Sequence, residues 1–574
     1  MRILNCILLV ILVIGNNLPS VTLVQAETAN NESLFLKKIN VPDNLKPEKS
    51  RTILIAVVDD GVRITHRDLK DFIWTNPREV PENEIDDDGN GYVDDIHGWD
   101  VSDQDNNPAP PEGRSEFYHG THVAGIATQI VKYAYGESAS DFIKIIPVKS
   151  LSDTTKTTYL KDAYKGIEYA LDLGADIIIC SWGIDLIADE ESKILERAEK
   201  KGTLIVASAG NLPEEREQYP AAYKSVIAVA AVDNKGQKVK NSNFGQFIDL
   251  SALGVGIRSA GVWSDEDYEV NDGTSFSTPM VAATAALIKV QHPAYSDKEI
   301  EACLKSSTEV IEVSAPRYNG KIGAGKLNVE SAVRCELFEK QPDKQNHLFH
   351  PKGYLYYKGI TKNSVSWLLE PQGEFKGIWI KPVFNREEAS QGTIDFYTSK
   401  SSDARKVGSY SLDSLPERIF VPGNSAFVRF EPNPLDSGQK FDWMLEYEAE
   451  TINFSTLYCE GTKYRNEEGT LNDGSGPKDY SFNTNCKWLI TAPEGKVIHF
   501  KFKEFDTEAK TDWIYFFHGS GTHEKIMAMF SGPDIPPELT TWGNQALLWF
   551  VTNGVKQNKG WQVEYNFQDP KDSS

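Results

Sequence analysis

Cysteine is scarce in this chain, with six in 574 residues. Bridges cannot carry the stability of so long a polypeptide, so packed cores must. Positive charge is also in deficit, since 60 Lys and Arg face 83 Asp and Glu for a formal net charge of −23. That balance argues against nucleic acid or an anionic membrane surface as a partner. Long apolar runs are missing beyond the N-terminus. The run there, Ile3 to Gly15, falls short of the about 20 apolar residues a spanning helix needs. It follows Met1-Arg2 and precedes Val24-Gln25-Ala26, the pattern of a secretory signal over residues 1–26. The expectation is an exported monomer, secreted, periplasmic or at the cell surface, with no membrane span. The length leaves room for three to four domains.

What is present points to an α/β domain followed by all-β modules. Ile53-Leu54-Ile55-Ala56-Val57-Val58 is continuously apolar, as a strand buried on both faces of a parallel sheet must be, and it ends at Asp59. Chemistry in such sheets collects at the carboxyl ends of strands. His119-Gly120-Thr121-His122-Val123-Ala124-Gly125 places a histidine at the mouth of a small-residue helix. Leu204-Ile205-Val206-Ala207-Ser208-Ala209-Gly210 is a strand delivering the amide of Asn211. Asp272-Gly273-Thr274-Ser275, followed by small and apolar residues, sets the Ser275 hydroxyl at a helix N-terminus. Unpaired backbone N–H groups and the helix dipole favour a developing oxyanion there. A serine hydroxyl attacks well only when an imidazole takes its proton and a carboxylate holds the imidazole in the useful tautomer. The order Asp, His, Ser is one of the known triad orders.

Joint occurrence of these four segments resembles the subtilisin-like serine proteases. The likeness covers residues 46–335 and implies a parallel sheet with flanking helices. It makes Ser275 the nucleophile, His119 the general base and Asp59 its orienter, with Asn211 and the Ser275 N–H receiving the oxyanion. Asp60 and His122 read as structural. The resemblance implies that Leu151 and Ser152 edge the substrate groove. It also makes Ser181-Trp182-Gly183 and Ser208-Ala209-Gly210 the walls of the primary specificity pocket. Gln218 falls at the pocket base, where a glycine would leave a deep slot; a glutamine shortens it or makes it polar. Residues 27–45 are polar without an evident core, and form an extension too short for the family's folding-assisting propeptide. The helix expected from about Tyr159 to Leu173 precedes the strand carrying Cys180, a buried free thiol. Cys303–Cys335 is the preferred bridge, stapling the end of this domain.

Between Asp59 and His119 lies Asp86-Asp87-Asp88-Gly89-Asn90-Gly91-Tyr92-Val93-Asp94-Asp95. Asp86, Asp88 and Asn90 repeat the odd-position oxygen ligands of an EF-hand-like loop, with Tyr92 offering its carbonyl and Asp94 or Asp95 a further carboxylate. So many carboxylates repel one another without a cation, which favours structural calcium.

After residue 335 the composition turns to aromatic, alternating strands. An internal repeat runs through it: Trp488 follows Trp367 by 121 residues, Ala546 follows Ala426 by 120, and Trp561 follows Trp443 by 118. Two copies of one β-sandwich explain the offset, at 336–450 and 451–568 with a tail at 569–574. The second copy resembles a CUB domain through Cys459, Asn485-Cys486-Lys487-Trp488 and Leu548-Trp549-Phe550-Val551. The likeness implies a Cys459–Cys486 bridge, and its calcium-binding members use acids matching Glu508 and Asp512. The first copy has no cysteine and is only CUB-like. Trp488, Trp549 and Trp561 read as core aromatics. These modules would target the enzyme by taking a protein or carbohydrate ligand, while the α/β domain takes a protein or peptide substrate. The rival expectation is an adhesion or scaffolding protein whose protease domain has lapsed.

Overall fold

The run ending at Asp59 forms β1 (Ile53–Asp59), buried along its length apart from Leu54. The computed structural model describes residues 34–570 apart from 49–50, 156–158, 185–188, 213, 312–317, 336–345, 360–362, 374, 385–391, 433–440, 452–461, 466, 474, 476–478, 481–483, 521–524 and 553–555. Around β1 lie β2 (Trp99–Asp100), β3 (Ile143–Lys149), β4 (Ile177–Cys180), β5 (Leu204–Ser208), β6 (Val226–Val232) and β7 (Leu250–Leu253). They form one sheet in the order β2-β3-β1-β4-β5-β6-β7, and every neighbouring pair is parallel.

Successive β1 side chains feed two cores. Ile53, Ile55 and Val57 join a cluster with the helices His119–Tyr135 and Thr274–Gln291; Ala56 and Val58 join one with the helices Ala163–Asp172 and Asp189–Lys201. The expected helix at 159–173 therefore begins later, at Ala163. The chain leaves β1 toward β3 on one side and returns to β4 on the other. Such a switch point opens a crevice at the strands' carboxyl ends.

The described part of the N-terminal extension, from Leu34, packs against this domain. In α1 (Leu34–Lys38) and just beyond it, Phe35, Leu36, Ile39 and Val41 are buried in the first core. The Ile39 and Asn40 carbonyls accept from Val329 N and Glu330 N. Two buried residues in one short helix and two just past it are too few to stand out in a polar stretch. The helices of six residues or more among the described residues are α2 (His119–Tyr135), α3 (Ala163–Asp172), α4 (Asp189–Lys201), α5 (Thr274–Gln291), α6 (Asp297–Ser306) and α7 (Val329–Arg334). A hairpin of β8 (Ile257–Ala260) and β9 (Tyr268–Asn271) leads into α5. The Cys303–Cys335 bridge ties α6 to the end of α7, and Cys180 is free and buried, both as expected.

The repeat is visible strand for strand. The first module has β10 (Asn346–Leu348), β11 (Lys352–Gly359), β12 (Val365–Leu369), β13 (Phe375–Pro382), β14 (Gly392–Thr398), β15 (Lys406–Ser411), β16 (Ile419–Pro422), β17 (Ala426–Pro432) and β18 (Phe441–Thr451). The second has β19 (Thr462–Arg465), β20 (Gly469–Asn472), β21 (Asn485–Thr491), β22 (Val497–Asp506), β23 (Trp513–His518), β24 (Ile526–Phe530), β25 (Leu539–Thr540), β26 (Gln545–Val551) and β27 (Gly560–Gln568). The sheets β10-β12-β17-β14-β15 and β11-β18-β13-β16 reappear as β19-β21-β26-β23-β24 and β20-β27-β22-β25. Each core holds an edge-to-face tryptophan pair with centroids 5.2 Å apart, Trp367–Trp443 in one and Trp488–Trp561 in the other. Trp549 corrects the expectation of a core residue. It is half-buried on the opposite face of β26, its ring tilted against Tyr515 with centroids 5.5 Å apart and the Lys487 ammonium over it.

The first module is fastened to the α/β domain. Ala302 of α6 shares a buried cluster with Tyr354, Tyr356 and Met444. Beside it the buried Lys305 ammonium lies 2.8 Å from Asp249, 2.8 Å from Glu301 and 3.4 Å from Glu446 of β18. Gln246 bridges to Glu448 and Thr451, and Lys352 donates to the Gln246 carbonyl.

Candidate active site

Three strand ends and two helix starts meet over the switch point. Asp59 closes β1, Ser181 follows β4, Asn211 follows β5, His119 opens α2 and Ser275 lies in the first turn of α5. Gly120 makes the approach of α2 possible: a Cβ there would lie 2.4 Å from the Gly61 carbonyl and 2.8 Å from the Asp59 Cβ. His119 Nδ1 is consequently 2.8 Å from Asp59 Oδ1, which also accepts from the Asp60 N–H. With Nδ1–H donated to the carboxylate, Nε2 is left as the basic nitrogen. Asp59 is 1% exposed, and its Oδ2 has no hydrogen-bond partner among the described residues.

Asp60 turns the other way and caps α2, accepting from His119 N at 3.0 Å and Gly120 N at 2.7 Å. Burial and then the neighbouring Asp59 push its carboxyl up to about 7, against the pull of His119 and the two N–H groups. Burial works against charge on His119, but Asp59 and Asp60 outweigh it and raise the imidazole to about 9. His122, one turn along, is buried against Phe276 and depressed to about 4 by burial, consistent with a structural, neutral role.

Proline shapes the serine end. Pro279 has no N–H to give the Ser275 carbonyl four residues back. That carbonyl accepts instead from Ser181 Oγ at 2.8 Å, while Ser275 Oγ donates to the Ser181 carbonyl at 3.0 Å. The reciprocal pair clamps the start of α5 to the end of β4. Thr274 N–H and O–H both donate to Asn211 Oδ1, at 2.9 and 3.0 Å, which orients the amide so that Nδ2 remains to donate. Gly273, at φ +147°, leaves the room Asn211 occupies, since a Cβ there would sit 3.3 Å from Oδ1.

A cleft of about 400 Å³ collects Asp59, His119, Ser275 and Asn211 with Leu151, Ser181, Trp182, Gly183, Ile184, Tyr118, Tyr159 and Glu116. Five other expected substrate-site residues do not line this cleft themselves. The Ser152 hydroxyl donates to Asp103, Ser208, Ala209 and Gly210 are buried, and Gln218 stands against Gly183 and Gly210.

In the acidic loop, Asp86 accepts from the N–H groups of Gly89, Asn90 and Gly91, and Asn90 Oδ1 from that of Tyr92. Ligand oxygens of Asp86 and Asp88 converge with one of Glu79 within 4.8 Å. Glu79 escaped notice because it is isolated in sequence, seven residues before the acidic run. Asp94 instead caps the turn at Asn83 and Glu84, and Asp95 is buried against Asn76, Asn90 and the Tyr169 hydroxyl. In the second module the Tyr480 hydroxyl donates to the Asp512 carboxylate at 2.6 Å and accepts from the Glu508 backbone N–H. Cys486 is disulfide-bonded. Its expected partner Cys459, like the signal sequence, lies outside the described residues.

An aspartate-oriented imidazole, a serine at a helix start and an asparagine amide share one rim of a parallel sheet flanked by helices, a subtilisin-like architecture. Residues 50–348, just over half of the chain, match the subtilase family, and residues 459–565 match the CUB domain. The chain belongs to the subtilase family. It is 32% identical over 287 residues to halolysin of Haloferax mediterranei, covering 50% of each chain. To the halolysin-like extracellular serine protease Nep of Natrialba magadii it is 31% identical, covering 50% of this chain and 48% of that one. To thermitase of Thermoactinomyces vulgaris it is 30% identical, over 52% of this chain and 94% of that one. The chain thus spans about half the length of the first two relatives.

Proposed function

We propose that this protein is an exported serine endopeptidase that hydrolyses peptide bonds through an acyl-enzyme. The observation that carries the reading is the 2.8 Å contact between His119 Nδ1 and Asp59 Oδ1, with Ser275 in the same cleft. In the proposed cycle, Ser275 Oγ leaves the Ser181 carbonyl and meets His119 Nε2. As Oγ attacks the peptide carbonyl its proton passes to Nε2, and the imidazolium is stabilised by Asp59. The carbonyl oxygen becomes an oxyanion facing Asn211 Nδ2 and the Ser275 N–H. An oxyanion donor of this kind is worth about 10²–10³ in turnover, a magnitude measured within this family. The imidazolium then protonates the leaving amine, and water repeats the sequence to release the acid. Export is supported by the signal pattern, and among the described residues no helix is long and apolar enough to cross a membrane.

The loop oxygens fit a hard divalent cation: the carboxylates of Glu79, Asp86 and Asp88 converge, and their N–H contacts pre-shape the turn. Calcium bound there would neutralise the cluster and stiffen the loop; Glu508 and Asp512 form a second, smaller candidate. The β-modules serve as targeting devices for a protein or carbohydrate surface.

Labelling with an organic fluorophosphate tests the reading. Wild type should be modified at Ser275 and hydrolyse casein. Ser275→Ala should lose about 10⁶ in turnover without a change in melting temperature. A folded protein that neither labels nor cleaves would leave the scaffolding alternative standing.

A further inference from the structure

Leu151 lines the cleft, and among the described residues neither its N–H nor its carbonyl has a hydrogen-bond partner. An extended peptide adds to such a segment as a further strand, main chain to main chain. Both flanks of the segment are fixed. Before it, Lys149 stands opposite Asp59 in the β1–β3 register, and Ser150 N donates to the Asp59 carbonyl at 2.7 Å. After it, the Ser152 hydroxyl and the Asp153 N–H donate to the Asp103 carboxylate at 2.6 and 2.7 Å. Arg114 donates to the carbonyls of Asp153 and Thr155.

One buried cation joins the two flanks. Asp100, Asp103 and Asp153 bring carboxylate oxygens within 4.8 Å of one another, close enough to share a metal ion. The Lys149 ammonium lies among them, paired with Asp100 and Asp153 and 3.9 Å from Asp103. Lys149 is 1% exposed, and its stem passes Gly61, where a Cβ would lie 3.3 Å from Lys149 Cδ. Burial opposes its charge, but Asp100 and then Asp153 outweigh burial and hold the ammonium above the usual lysine value. Because Asp100 belongs to β2 and Asp153 to the cleft edge, the ammonium ties that edge to the sheet.

We propose that Lys149 is a positioning residue, a built-in cation standing where a metal ion could, which holds Leu151 in place to pair with the backbone of an extended peptide. The substrates that depend on it are long ones, since a compact acylating group reaches Ser275 without that pairing. This inference rests on the endopeptidase reading, and its test separates the two.

The full-length enzyme is titrated with the fluorophosphate, and KM and kcat are measured on peptide anilides of increasing length before the scissile bond. In wild type, lengthening should lower KM by about fivefold, the worth of one main-chain hydrogen bond. Lys149→Met should lose that gain, with a larger effect on KM for the long anilide than on kcat for the shortest. Asp153→Ala should lose it too, and it decides the matter should the lysine variant fold poorly, because the Asp153 side chain is 40% exposed. Labelling with a wild-type KM indifferent to length, or with a gain that the folded variants keep, overturns the role of Lys149 alone. Absence of both labelling and hydrolysis in the folded wild type overturns the endopeptidase reading and this inference with it.

Discussion

Lys305→Met should be among the most damaging single changes outside the cleft. Lys305 is 3% exposed, and its ammonium is held by Asp249 and Glu301 from the α/β domain and by Glu446 from the first module. Burial opposes its charge, but these carboxylates hold its pKa well above the usual lysine value. Removing the cation leaves three acids facing one another in a poorly solvated seam, partly relieved by Lys298 on Glu301 and Lys381 on Glu446. Breaking a buried ion pair from one side costs about 3–5 kcal/mol. At about 2–4 °C per kcal/mol, that predicts a fall in melting temperature of roughly 6–20 °C for the full chain, read by calorimetry. Glu446→Gln should cost less, because Asp249 and Glu301 remain on the lysine. A double-mutant cycle should show the two changes to be coupled rather than additive. The acid side has a defined sign. Glu301 and Glu446 are depressed, so their contribution is present above the ordinary glutamate pKa of about 4.3 and is lost as pH falls below it. A Lys305→Met protein melting within about 2 °C of wild type would refute the idea that this cluster fastens the module.

Three further outcomes are expected. Because Asp59 and Asp60 hold His119 up to about 9, kcat/KM should fall as pH drops through an alkaline value; Asp60→Asn should move that limb toward lower pH, and a limb that stays put contradicts the assignment. Chelation of divalent ions should lower the melting temperature of wild type but not of Asp86→Ala, and a chelator without effect on wild type removes the cation from the acidic loop. Truncation after residue 451, which spares the seam at Lys305, should retain casein hydrolysis, whereas truncation after residue 335 should yield a much less stable protein; equal melting of the two defeats that expectation.

Much of the fold was legible because its signals are local and redundant. β1 announces itself by an unbroken apolar run, and the modules by a near-constant repeat offset. The triad segments were legible for a similar reason: each needs a small residue beside its reactive group, Gly120 beside His119 and Gly273 near Ser275. What escaped the sequence was set by tertiary contact. The burial of Phe35 and Ile39 depends on α7, nearly three hundred residues away. Glu79 joins Asp86 and Asp88 through a fold of the intervening loop, and the alternation of β26 places Trp549 on the opposite face from Leu548 and Phe550.

The fastening of the first sandwich makes the duplicated modules chemically unequal partners. The copy without cysteine has traded a covalent staple for a neighbour, and its tyrosine- and methionine-bearing side is complete only while α6 lies against it. Expressed by itself, it would present that side to water and tend to self-associate. Exchanging the two copies in the gene should therefore destabilise the α/β domain first, even though the sandwiches share one strand plan.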